Sequence, residues 1–118
     1  HIEEIYAYCL AKKGVEDGFP FGETTMVFKV IGKIFALAPL DADIQTINLK
    51  CEPDWAIELR ETHPDDIFPG YHMNKQHWNT VNCETGLSNK LLQELIDHSY
   101  NLIVKSLPKK VQAEFENL

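Results

Sequence analysis

A chain of 118 residues, 44% of them apolar, has material for one hydrophobic core and too little for two. Its 18 acids against 11 bases give a formal net charge of -7, which weighs against strong nonspecific nucleic-acid binding, because that affinity comes mostly from neutralising phosphates. Total charge leaves a local basic patch open, since global charge and local potential are different quantities.

The first segment, Ile2 to Lys13, has the three-to-four-residue apolar period of a helix, carried by Ile2, Ile5 and Cys9. Glu3 and Glu4 suit the positive end of its dipole, Lys12 and Lys13 suit the other, and Gly14 stops it. Those two acids also stand where a signal peptide would be basic, and no apolar run approaches a membrane span. The expectation is a cytoplasmic chain with no membrane contact. Glu16 to Thr25 is expected to break regular structure around Pro20. Thr25 to Val30 and Lys33 to Leu37 then read as two strands joined by a tight Ile31-Gly32 turn, with Met26, Phe28 and Val30 on one face. After a loop at Pro39 to Asp43 comes a clearer strand, Gln45 to Lys50, in which Ile47 and Leu49 face opposite to Thr46, Asn48 and Lys50.

Pro53 fits the first position of a helix and Asp54 its acidic first turn; Trp55, Ala56, Leu59 and Ile57 supply its inner side before His63-Pro64 ends it. Phe68 to Lys75 has the Pro-Gly signal of a loop, and Trp78 to Cys83 reads as a strand with Trp78, Thr80 and Asn82 on one face. The longest helix runs from Ser88 to about Val104, and Pro108 separates it from a short amphipathic tail carrying Val111, Phe115 and Leu118. Strands joined by tight turns are antiparallel, because parallel pairing needs a long crossover. The predicted class is a single α+β domain, residues 1–118, with a small antiparallel sheet packed against helices. Each outer helix has one apolar stripe that the sheet consumes, so the expected state is a monomer.

Catalytic chemistry finds little support. Cys9, Cys51 and Cys83 are odd in number, widely spaced and without a C-x-x-C pair, which reads as buried, reduced thiols. His72 and His77, five apart, point to different sides of either a strand or a helix, so no metal site is assigned. Adjacent acids such as Asp65-Asp66 sit in turns, where solvation explains them, and no glycine-rich phosphate cradle is present. No catalytic residue and no cofactor are assigned.

Binding fares better, because three zones lack carboxylates in an otherwise acidic chain. Thr24 to Leu40 holds Lys29 and Lys33; Ile67 to Cys83 holds Tyr71, His72, Asn74, Lys75 and His77; Asn101 to Ala113 holds Lys105, Lys109 and Lys110. Lysines beside turn N–H groups are suited to phosphate. Tyr71 and Trp78 either stack on exposed bases or anchor the loop to the core. The amides of Asn74 and Asn79 either read polar edges or bond within their own loop. Two partners fit this surface: DNA, bound weakly given the net charge, or alternatively a protein or small ligand.

The runs "FPFGETTMVFKVIGKIFAL", "INLKCEPDWAIELRE", "PGYHMNKQHWNTV" and "ELIDHSYNLIVKSLPKK" together resemble the MmcQ/YjbR family of small bacterial proteins over essentially the whole chain. The resemblance implies a CyaY-like, or double-wing, α+β fold and a DNA-binding role attached to that winged shape. Glu52 departs from the aspartate more typical of the family before Pro53, and its longer arm caps a helix less well.

Overall fold

The computed structural model describes residues 2–70, 73–84 and 86–118. Among them lie four helices and six strands: α1 (Ile2–Leu10), β1 (Val15–Gly18), β2 (Thr25–Val30), β3 (Lys33–Pro39), β4 (Thr46–Lys50), α2 (Pro53–Thr62), β5 (Ile67–Pro69), β6 (Trp78–Asn82), α3 (Asn89–Ser106) and α4 (Lys109–Glu116). The strands form one antiparallel sheet in the order β1-β2-β3-β4-β6-β5. The predicted class is therefore the observed one, α+β with helices on an antiparallel sheet.

Alternation decides which face meets the helices. Phe28 and Val30 of β2, Ile47 and Leu49 of β4, Val81 of β6 and Ile67 of β5 are buried in one core with Leu92, Leu95, Ile96 and Ile103 of α3. The intervening residues Thr25, Lys29, Ile34, Leu37, Asn48, Lys50, Trp78 and Thr80 are only half-buried. Between Ile31 (φ 44) and Gly32 (φ 80) the β2–β3 hairpin makes the two-residue, positive-φ turn that matches strand twist. Ser88 caps α3 by accepting the Leu91 N–H at 3.1 Å.

Four expectations need correction. A strand, β1, occupies part of the segment read as irregular; its sequence, VEDG, has no apolar alternation, and only pairing with β2 makes it a strand. Likewise β5 overlaps the start of the loop expected at Phe68 to Lys75, held by β6. The first helix ends at Leu10, three residues before Lys13, and Gly14 (φ 77) turns the chain afterwards. Ile57 is 50% exposed, because α2 presents Ala56 and Leu59 to the core.

The β2–β3 ladder carries an irregularity, in β3. Phe28 pairs with Ala36 and Lys29 with Ile34, so Phe35 is an extra residue in that strand. The β3–β4 ladder is short, registering only Ala36 with Leu49 and Leu37 with Asn48. Beyond it the buried Ser99 hydroxyl of α3 joins the strands: it donates to the Phe35 carbonyl at 2.6 Å and accepts from the Lys50 N–H at 2.9 Å.

Candidate functional site

The register gathers cations at one end of the sheet. Lys33 starts β3 opposite Val30, Lys50 ends β4 opposite Trp78, and Lys29 lies one residue inward on β2. The 73–77 turn follows at the start of β6, tied to the end of β4 because the Cys51 N–H donates to the His77 carbonyl at 2.7 Å. Neighbouring strands sit ~4.8 Å apart, so these positions form a short row across β2, β3 and β4 to the loop. Lys29, Lys50 and Trp78 share the half-exposed face, whereas Lys33 stands on the sheet end on the Val30 side. Glu16 of β1 is directly across from Lys29, and exposed Glu52 follows Lys50 by two residues, so two acids stand beside the row.

The other end is acidic. Glu23 precedes β2, Asp41 and Asp43 lie in the β3–β4 connection, Asp65 and Asp66 precede β5, and Glu84 follows β6. Glu3 and Glu4 begin α1 at this end, since Ile2 shares a small cavity with Gln45, Cys83 and Glu84.

Of the residues singled out from sequence, Lys29, Lys33, Asn74, Lys75 and His77 come to the basic end. Tyr71 and His72 lie outside the described residues. Lys109 and Lys110 are exposed at the start of α4, which packs on the helix side through Phe115 against Tyr100; Leu118, beyond its end, shares a cavity with Lys29 and Gly32. Asn74 and His77 are builders of the turn. The Asn74 carboxamide oxygen accepts the Gln76 N–H at 2.9 Å, and its carbonyl accepts from His77 and Trp78 at 3.1 and 2.9 Å.

Several site residues carried no sequence signal of their role. Arg60, the chain's sole arginine, reaches from α2 to donate to the Asn79 side-chain oxygen at 2.8 Å and to the Lys75 carbonyl at 2.5 Å. It fixes the turn against β6 with charge-assisted bonds. Gly70 is buried, and a Cβ there would lie 3.0 Å from the Trp78 Cβ and 3.1 Å from the Trp78 carbonyl oxygen, so glycine lets the two strand ends close. Lys50 was legible from β4 alternation as a neighbour of Asn48, yet only the register sets it beside the loop.

On the half-exposed face a groove of about 390 Å³ runs over β2, β3 and β4, with Ile34, Leu37, Thr25 and Asn48 as its floor. Phe21 and Met73 form its walls, so the 73–77 turn leans over the sheet. Phe21 is 67% exposed. Asn48 is held by an O–H bond from Thr80 at 2.6 Å and donates to the Leu37 carbonyl at 3.5 Å.

The titratable groups point away from nucleophilic chemistry. Burial pushes the Cys9 and Cys83 thiols up to about 12, and burial with the Glu52 charge pushes Cys51 up to about 11, so none is a thiolate near neutrality. On the helix side, burial lowers the pKa of His98, opposed by the nearby Glu52 charge. Its Nε2 accepts the Glu52 N–H at 3.2 Å, while the Glu52 side chain makes no capping bond; the ring meets Trp55 edge-on at 4.6 Å. Among the described residues no three His, Cys, Asp or Glu side chains gather to hold a metal ion.

Residues 10–102 match the family model described as YjbR. The chain is 43% identical over 98 residues to the uncharacterized protein YbdF of Escherichia coli, covering 83% of this chain and 80% of the relative. It is 33% identical over 109 residues to the uncharacterized protein YjbR of Escherichia coli, covering 92% of each. The crystal structure of Deinococcus radiodurans protein DR2400, with a DUF419 domain, superposes with a TM-score of 0.90 at 35% identity, over 98% of this chain and 87% of that one. A Pseudomonas syringae protein superposes with a TM-score of 0.75 at 28% identity, over 86% and 97%.

Proposed function

The chain belongs to the YjbR family, and from its own geometry we propose a non-enzymatic binding module that engages DNA through the basic end of its sheet and the Gly70–Asn79 loop. The observation that carries this reading is the placement of Lys29, Lys33, Lys50 and Lys75 on adjacent strands and the loop beside them, with the acids of the β-turns at the opposite end. A strand of ~6 residues spans ~20 Å, about twice the Debye length of ~10 Å at 0.1 M salt. A phosphate at the basic end is thereby screened from the acids at the far one, and the local field counts for more than the -7 total. The 73–77 turn is tied to α2 and β6 through Arg60 and to the end of β4 through the Cys51–His77 bond. A cytoplasmic setting fits, since it keeps the three buried thiols reduced.

The alternative is a protein or small-ligand role for the same face, and it is favoured by the apolar walls of the groove at Phe21 and Met73. Fluorescence anisotropy with labelled DNA at ~50 and ~200 mM salt separates the two. DNA binding that weakens steeply with salt, and weakens further in the Lys33→Ala/Lys50→Ala protein, is expected. No DNA binding at the lower salt would overturn the DNA reading and leave the alternative.

A further inference from the structure

We infer that the nucleic acid taken by this surface is single-stranded DNA, its bases lying over the groove between Phe21 and Met73 and its phosphates on the neighbouring lysines. The inference rests on the DNA-binding reading above and specifies its substrate. All the helices that pack on the sheet do so from its buried face, α3 through Leu92, Leu95 and Ile96 and α2 through Ala56 and Leu59. The face that carries Lys29, Lys50 and Trp78 presents strands and a loop, with no helix among the described residues to enter a major groove there.

What this face does offer matches the needs of unpaired bases. Their flat apolar surfaces are exposed only when they are unstacked, and they bind by lying against side chains of matching character. The groove floor of Ile34 and Leu37 is apolar, and Phe21 stands 67% exposed at its wall, where its ring is free to meet a base. Its volume of about 390 Å³ lies in the range, roughly 300–1,000 Å³, of sites for small organic rings. The charge is complementary: Lys29 pairs across the ladder with the floor residue Ile34, and Lys50 lies two residues along β4 from Asn48 on the same face. One continuous ligand can therefore put rings in the groove and anions at its basic end. A duplex keeps its bases stacked inside and would meet this groove only with its backbone.

The test titrates the intact protein against a fluorescein-labelled oligothymidine of about twelve nucleotides, within the site sizes known for single-strand binders. A duplex of the same length is titrated beside it at ~50 mM salt. Single strands are expected to bind at least about tenfold tighter than duplex, and Phe21→Ala to weaken the single strand about tenfold while leaving duplex binding unchanged. Phe21 is exposed, so this variant keeps the fold, which far-ultraviolet circular dichroism verifies. Lys50→Ala should weaken both ligands. Duplex binding equal to or tighter than single-strand binding, or single-strand binding indifferent to Phe21→Ala, overturns the inference while the DNA reading stands. Failure of both ligands to bind overturns the reading itself.

Discussion

The two ends of the sheet are built from the same antiparallel ladders, yet one gathers lysines and the other gathers acids. At the basic end Lys33, Lys50 and the 73–77 turn sit side by side; at the acidic end Glu23, Asp41, Asp43, Asp66 and Glu84 surround the opposite strand termini. The helices repeat the pattern. Ile5 and Tyr8 of α1 share a cleft with Leu92 and Ile96 of α3, and Tyr100 further along α3 donates to the Lys13 carbonyl after α1, so the two helices run in parallel. Acidic Glu3 and Glu4 open α1, and Lys105 closes α3, each complementing its helix dipole. Local helix and turn preferences thus bias the two ends of the sheet, with Glu52, two residues beyond Lys50, and Glu16, across from Lys29, as the acids that stand at the lysine end.

The two ladders that flank β4 also differ in how they are held, and this yields the largest expected effect. β4 is paired along its whole length with β6, from Thr46 with Asn82 to Lys50 with Trp78. Its ladder with β3 registers only Ala36 with Leu49 and Leu37 with Asn48, and next to it, at the basic end, the Ser99 hydroxyl joins the Phe35 carbonyl to the Lys50 N–H. Ser99→Ala orphans a buried carbonyl and deprives the Lys50 N–H of its partner, at a cost of ~1–3 kcal/mol for each unsatisfied group. Urea unfolding should show a loss of about 2–6 kcal/mol, with amide exchange accelerated at Lys50 and unchanged at Thr46. Equal acceleration at both would show that the ends are not separately held.

Arg60→Ala comes next. Removing its two bonds to the loop and to Asn79 should destabilise by ~1.5–3 kcal/mol, the value of a hydrogen bond to a charged group, and should loosen the 73–77 turn. Hydrogen exchange there, compared with the untouched β2–β3 hairpin, is the readout; protection equal in both proteins would remove Arg60 from the role assigned to it.

The smallest effect involves His98, which meets α2 from the helix side and faces Glu52, Glu94 and Lys105. Its folded pKa lies below the ordinary 6.5. Above 6.5 the ring is neutral in folded and unfolded chains alike. As pH falls below that value the unfolded chain takes up the proton first, so stability is lost from 6.5 down through the lowered folded value. His98→Gln should flatten the pH dependence of the urea midpoint in this window. An undiminished dependence would locate it elsewhere.

Much of the fold was legible because alternation and capping are local. Phe28 with Val30, Ile47 with Leu49, and Ser88 at the start of α3 each declare their element within a few residues. The strands β1 and β5 were not, since VEDG and IFP are strands only through their partners β2 and β6. The same limit divides the site. Lys29, Lys33 and Lys75 stand out as cations in carboxylate-free stretches, but Lys50 joins them only through the β4–β6 register. Ser99 reads as one more residue of an apolar stripe until the bulge at Phe35 opens a gap for it to fill. For Asn74 the sequence left two roles open, reading a ligand edge or bonding within its own loop, and the bonds that it and His77 make in the turn appear only in three dimensions.

The most direct measurement exchanges charge at the two ends and follows DNA binding against salt. Lys33→Ala/Lys50→Ala removes two cations at the basic end, and Asp41→Asn/Asp43→Asn removes two anions at the far end. The lysine pair is expected to flatten the slope of log K against log salt by between one and two, with ~0.7–0.9 lost per phosphate contact, and the aspartate pair to leave slope and affinity nearly unchanged. If the aspartate pair strengthens binding as much as the lysine pair weakens it, total charge governs, and the basic end of the sheet is not a site.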